Sequence, residues 1–143
     1  MKASMLLKKQ HREVEKLFAT ALKSDDQKTR RKAMDEIAGA LKHHTEIEEN
    51  IFYPAVRAIG TKKAEEMIGE AYEEHHVVKL VLAELPEVDP GADNFEAKMT
   101  VLKELVAHHV EEEEKEMFPM AERRLGDDRS SELAEQMAGP KAA

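Results

Sequence analysis

Four histidines and two glutamates in this sequence have the types and spacing to hold two metal ions. His44 and Glu48 stand four residues apart, as do His109 and Glu113. On a helix, positions four apart share a face about one turn apart, so each pair can aim an imidazole and a carboxylate at one spot. The run from His43 and His44 to Glu48 and Glu49, followed by Phe52-Tyr53-Pro54, recurs 65 positions later. There it reads His108 and His109 to Glu113 and Glu114, followed by Met117-Phe118-Pro119. His11 with Val14, Leu17 and Phe18 recurs more weakly as His75 with Val78, Val81 and Leu82. Each half of the chain therefore supplies one histidine from a first helix and a His-x-x-x-Glu from a second.

Simpler readings exist for each part taken alone. A single stripe histidine such as His11 is more often a core histidine with a satisfied hydrogen bond. One His-x-x-x-Glu on a charged helix arises by chance, and the acidic run Glu111 to Glu114 reads as a solvated face. Two such pairs in register with an internal repeat outweigh these readings. A buried carboxylate without a partner is costly and would neutralise itself. Bound cations remove that cost, and four imidazoles with two carboxylates suit two first-row metals. Only Glu113 of its run fits the four-residue geometry well; Glu114 is the alternative. His43, His76 and His108 lie about 100° round the helix from their neighbours and are expected outside the site.

The elements that must position these residues are four helices, expected near 4–23, 27–57, 62–85 and 94–125. Apolar residues at spacings of three and four mark their inner stripes. Leu7, Val14, Phe18, Ile37, Leu41, Ile68, Val78, Leu82, Leu102 and Val106 are expected to be buried. His11, His44, Glu48, His75, His109 and Glu113 fall on the same stripes. Ser24-Asp25-Asp26 and Thr61 offer helix N-caps, Asp93 with Glu96 resembles a capping box, and Gly126 suits a C-terminal cap. Pro54 is expected to loosen the last turn of the second helix. Short connections favour antiparallel neighbours, hence an all-α, up-down-up-down four-helix bundle over 1–126. The tail, 127–143, is polar and reads as one short helix followed by disorder.

The order His11, His44-x-x-x-Glu48, His75, His109-x-x-x-Glu113, with Pro54 and Pro119 each ten residues after a histidine, resembles the haemerythrin HHE cation-binding family. The resemblance runs over about residues 4 to 125. It implies two iron ions bridged by both carboxylates and by an oxo or hydroxo group. By the same resemblance His11 and His44 would hold one iron, His75 and His109 the other, with Glu48 and Glu113 bridging. The chain departs from the oxygen-carrying members, which have a further histidine where Lys79 stands here. Their last carboxylate is usually an aspartate five residues after the histidine; here Glu113 and Glu114 occupy both positions. One iron then has an open position, or another ligand such as Tyr53, Tyr72 or His76.

Composition narrows the function. The chain carries a net charge of −8, which weighs against a nucleic-acid or anionic-membrane binder. It has no cysteine, so disulfides, thiolate zinc sites and iron–sulfur clusters are excluded. With no long apolar stretch, a cytoplasmic protein is expected. Two functions fit: a di-iron protein that binds or senses dioxygen, nitric oxide or peroxide, or a di-iron enzyme that decomposes peroxide or reduces nitric oxide or oxygen. Only the resemblance selects iron over manganese or zinc. A ferritin-like oxidase wants a Glu-x-x-His on each of two helices, and Glu73-x-x-His76 is the single example.

Overall fold

The computed structural model describes residues 1–139; the disorder expected for the last residues falls mainly on 140–143, outside that range. Helix α1 spans Ala3–Lys23 and α2 spans Gln27–Ile47. A π-helical turn, Glu48–Phe52, joins α2 without a break to α3, Tyr53–Arg57. After Gly60, α4 covers Lys62–Glu84 and a short 3₁₀ turn follows at Leu85–Glu87. Helix α5, Phe95–Glu112, continues through a second π turn, Glu113–Met117, into α6, Phe118–Leu125. A fifth rod, α7, runs from Asp127 to Ala138. No strand occurs among the described residues, and no helix is long and apolar enough to cross a membrane.

The ends of these rods follow local chemistry. Asp26 accepts from the Thr29 amide and Thr61 from the Ala64 amide, satisfying N–H groups that a helix leaves free at its start. The capping box expected at Asp93 does not form. Asp93 is held in a turn in which the Phe95 amide bonds the Ala92 carbonyl, and Asn94 takes the cap position without a side-chain bond. Gly126, at φ +82°, makes the sharp change of direction between α6 and α7 that a residue with a Cβ resists.

The π turns were not anticipated. The Tyr53 amide bonds the Glu48 carbonyl and the Phe118 amide bonds the Glu113 carbonyl, each five residues back. Pro54 and Pro119 follow directly. A proline ring inside an α-helix collides with the carbonyl four residues earlier, and a widened turn relieves that collision without ending the rod. Proline also has no N–H to offer the Glu49 carbonyl, which instead accepts from the Tyr72 hydroxyl at 3.2 Å.

Two apolar clusters flank the middle of the bundle. One gathers Val14, Phe18, Met34, Ile37, Phe95, Met99 and Leu102; the other gathers Leu7, Phe52, Val56, Ile68 and Phe118 with Leu133 and Met137 of α7. Eight of the ten residues expected in the core are buried, whereas Leu82 and Val106 are half-buried. Leu82 lies beside Ala38 and Ala83 on a surface groove, where small neighbours leave it partly open. The tail helix is no loose appendage. It packs against α1 and the first π turn, and Ser130 accepts from the Ala3 amide at 2.8 Å while donating to Glu122 at 2.6 Å.

Candidate metal centre

Between the two apolar clusters the stripes carry His11, His44, Glu48, His75, His109 and Glu113, all buried. Ligand-capable atoms of His11, His44, Glu48 and Glu113 lie within 4.8 Å of one another, and so do those of Glu48, His75 and His109. Glu48 belongs to both groups. Its Oε1 is 3.2 Å from His44 Nε2 and 3.1 Å from His75 Nε2, while Glu113 Oε1 is 3.2 Å from His11 Nε2. His75 Nε2 and His109 Nε2 face each other at 3.1 Å. These separations are short, yet His11 Nε2, His44 Nε2, both Glu48 oxygens and Glu113 Oε1 have no hydrogen-bond partner of acceptable geometry.

Behind every imidazole stands an oxygen that can only accept. His11 Nδ1 donates to Glu114 at 2.7 Å, His44 Nδ1 to the Gln10 amide oxygen at 2.6 Å, His75 Nδ1 to Glu49 at 2.8 Å and His109 Nδ1 to Glu74 at 2.7 Å. Because carboxylates and amide oxygens carry no proton, each bond holds a proton on Nδ1 and leaves Nε2 as the nitrogen that faces inward. Arg12 pairs with Glu114 and Lys79 with Glu49, holding those carboxylates in place.

The electrostatics are those of a negative pocket. Burial opposes charge on Glu48, but the charge of His44 and the close approach of Glu113, His109 and His44 hold its carboxyl well below the usual range. Burial likewise opposes protonation of His109 and His11, yet Glu113 above all lifts both, His109 well above the ordinary imidazole value.

Tyr53 completes the inner ring. Its hydroxyl donates to Glu113 Oε2 at 2.6 Å and lies 3.1 Å from both His75 Nε2 and His109 Nε2. In a regular α-helix a residue five after Glu48 points about 140° away. The π turn brings it back onto the face of Glu48. Burial first, and then the charges of Glu48 and Glu113, push its phenol well above the ordinary value, so it keeps its proton. The other two extra candidates are placed elsewhere: Tyr72 bonds the Glu49 carbonyl and His76 is exposed, one residue round the helix from His75. Glu114 lies behind His11, not in the pocket. Lys79 reaches outward to Glu49.

Sequence reasoning missed Gln10, Glu49 and Glu74. The signal existed: each first-helix histidine is directly preceded by Gln or Glu, and each His-x-x-x-Glu is directly followed by a second Glu.

The Hemerythrin HHE cation binding domain matches residues 3–121. A DNA nickase from Nostoc sp. is 26% identical over 137 residues, covering 96% of this chain and 38% of that protein. An uncharacterised hemerythrin-like protein of Schizosaccharomyces pombe is 25% identical over 126 residues, covering 88% of this chain and 62% of its own length. The chain thus spans less than two thirds of either relative. The crystal structure of a Hemerythrin HHE cation binding domain-containing protein, an Rv2633c homolog from Mycobacterium kansasii, superposes with a TM-score of 0.82 at 27% identity, covering 96% of this chain and 83% of that one.

Proposed function

Because the chain belongs to the hemerythrin HHE cation-binding family, we propose that it is a non-haem di-iron protein that binds or senses a small ligand: dioxygen, nitric oxide or hydrogen peroxide. The observation that carries this reading is the convergence of buried donor atoms without hydrogen-bond partners on His11, His44, Glu48 and Glu113. Leaving such an atom unpaired costs about 1–3 kcal/mol, and more when it is charged. Cations remove the cost at all of them together. In this reading His11 and His44 hold one iron, His75 and His109 the other, and Glu48 and Glu113 serve both. Two iron ions there supply Lewis acidity and one-electron chemistry towards a small ligand.

The chain's own residues then define the ligand. A cavity of about 20 Å³, lined by Val14, Leu41, Val78 and Val106 beside the four imidazoles, holds about one water-sized molecule. Tyr53 keeps a proton at its hydroxyl, which it donates to Glu113 beside His75 and His109. That proton is the observation favouring the second reading, an enzyme that decomposes peroxide or reduces nitric oxide or oxygen. Nucleic acid has no part in the proposal, because the chain is acidic and corresponds to 38% of the relative named for DNA nicking.

The test is anaerobic metal analysis followed by optical spectra with air, peroxide and nitric oxide. About two irons per chain and a spectral change on ligand addition are expected. A change that reverses when the gas is removed identifies a binder, and sustained gas evolution from peroxide identifies the enzyme. Less than one iron per chain after full loading would sink both readings.

A further inference from the structure

The two halves of the chain, so alike around the pocket, differ sharply on the outside. In the first half the groove between α1 and the first π turn is lined by Leu6, Gln10, Ile47 and Ile51, and α7 packs against both walls. The corresponding groove of the second half lies between α4 and the second π turn. There Glu70 stands for Leu6, Glu74 for Gln10, Glu112 for Ile47 and Glu116 for Ile51. No helix covers it among the described residues, and none of these four carboxylates pairs with a lysine or arginine there; Lys115, next to Glu116 in sequence, pairs with Glu111 instead.

This acidic cleft leads inward. His109 and Glu113 line it together with the four acids, and Glu113, about 1% exposed, ends it at the buried pocket, its unpartnered Oε1 lying 3.2 Å from His11 Nε2. At its mouth Glu74, His108 and Glu112 bring three donor atoms within 4.8 Å of one another. His108 Nε2 lies 3.1 Å from Glu112 and 3.6 Å from Glu74, and Glu74 also holds His109 at 2.7 Å.

We propose that the cleft is the route by which a divalent first-row metal cation reaches the buried pocket, and that Glu74, His108 and Glu112 form a staging site at its mouth. Mixed imidazole and carboxylate donors suit such cations. Carboxylates without lysine or arginine partners in a narrow cleft concentrate counter-ions and raise association rates. The half-exposed staging site holds its ion weakly and passes it on, whereas the apolar groove under α7 offers a hydrated cation no path. This inference rests on the proposed metal centre, from which its test is separable.

Metal-free protein, full chain, is mixed with cobalt(II), and uptake is followed by visible absorption at low ionic strength. The triple variant Glu70→Gln, Glu112→Gln, Glu116→Gln should load about tenfold more slowly yet reach the wild-type final stoichiometry. His108→Ala should also load more slowly, by several-fold. The control triple Glu13→Gln, Glu36→Gln, Glu132→Gln, which changes net charge equally, should load within about twofold of wild type. Equal slowing in both triples, unaltered rates in the cleft variants, or a lowered final stoichiometry would overturn the proposed route. Wild-type protein that takes up no cobalt would instead overturn the metal centre.

Discussion

Tyr53 and Phe118 occupy matching places in the two halves of the chain, 65 positions apart, each five residues after a pocket glutamate. Both are turned inward by a π turn, but they do different things there. Tyr53 donates its hydroxyl to Glu113 at 2.6 Å, beside His75 and His109. Phe118 stacks on His11 with ring centres 5.8 Å apart and planes tilted by 10°. One side of the pocket therefore carries a proton and the other an apolar wall, so the two halves of a pseudo-symmetric site are chemically unequal.

Replacing Tyr53 by Phe keeps the ring packing and removes only the hydroxyl. The variant should lose about 1–3 kcal/mol of stability in metal-free protein, because a buried carboxylate loses a donor. Metal content should stay near that of wild type while the response to peroxide falls. Urea unfolding after chelation and peroxide titration of the loaded protein check the two parts. Identical behaviour in both would remove Tyr53 from the site's chemistry.

Ligand and look-alike separate in a metal-content series. Changing His11, His44, His75 or His109 to Ala should reduce loading to about one ion or fewer, since each metal has two imidazoles in the proposed arrangement. Glu48→Ala should weaken both ions together, because Glu48 belongs to both groups of donors. His43→Ala, His76→Ala and His108→Ala should leave the final content unchanged, their rings being exposed. Iron per chain measured at equilibrium decides it, and loss of an ion from His76→Ala but not His75→Ala would show the third-helix ligand misassigned.

Removing the oxygens behind the imidazoles should loosen metal without removing a ligand. Gln10→Ala and Glu74→Gln each disturb a bond that fixes an Nδ1 proton. Each is expected to weaken metal affinity by about 10–100-fold. Competition with a calibrated chelator measures this, and affinities within about twofold of wild type would contradict the role.

Metal-free and loaded protein should answer pH in opposite senses. His11 and His109 have raised folded values, so their contribution to stability is complete below the ordinary imidazole range, about pH 6.5. It is lost as pH rises through the folded values. Glu48 is lowered, so its contribution is present above the ordinary carboxylate range and lost in strong acid. Metal must displace the Nε2 protons, so its affinity rises with pH. The gap in Tm between loaded and chelated protein should widen from about pH 6 to about pH 8. A gap that narrows over that interval would contradict the assignment of those protons.

Helix α7 should matter to stability more than a polar tail would. Leu133 is about 1% exposed and belongs to the apolar cluster of Leu7 and Phe52. Leu133→Ala should cost about 2–5 kcal/mol. Chemical denaturation tests this, and a loss below about 0.5 kcal/mol would mean that α7 is dispensable to the core.

Much of this could be read without coordinates, for a local reason. Whether a side chain faces inward from a helix depends on the 3.6-residue period, which spacing alone reveals, so the burial of His11, His44, Glu48, His75, His109 and Glu113 and the four rods were legible. The helix ends were legible where caps are a matter of neighbouring residues, as at Asp26 and Thr61. What the period could not foresee was a change in the period itself. The π turns ahead of Pro54 and Pro119 carry Tyr53 and Phe118 to the pocket, and only the resolved backbone decides that prolines widen these rods and do not end them. Partners distant in sequence were equally out of reach. Glu74 behind His109, Gln10 behind His44 and α7 over one groove depend on how the rods pack, and packing energy belongs to pairs of surfaces that no single stretch of sequence contains.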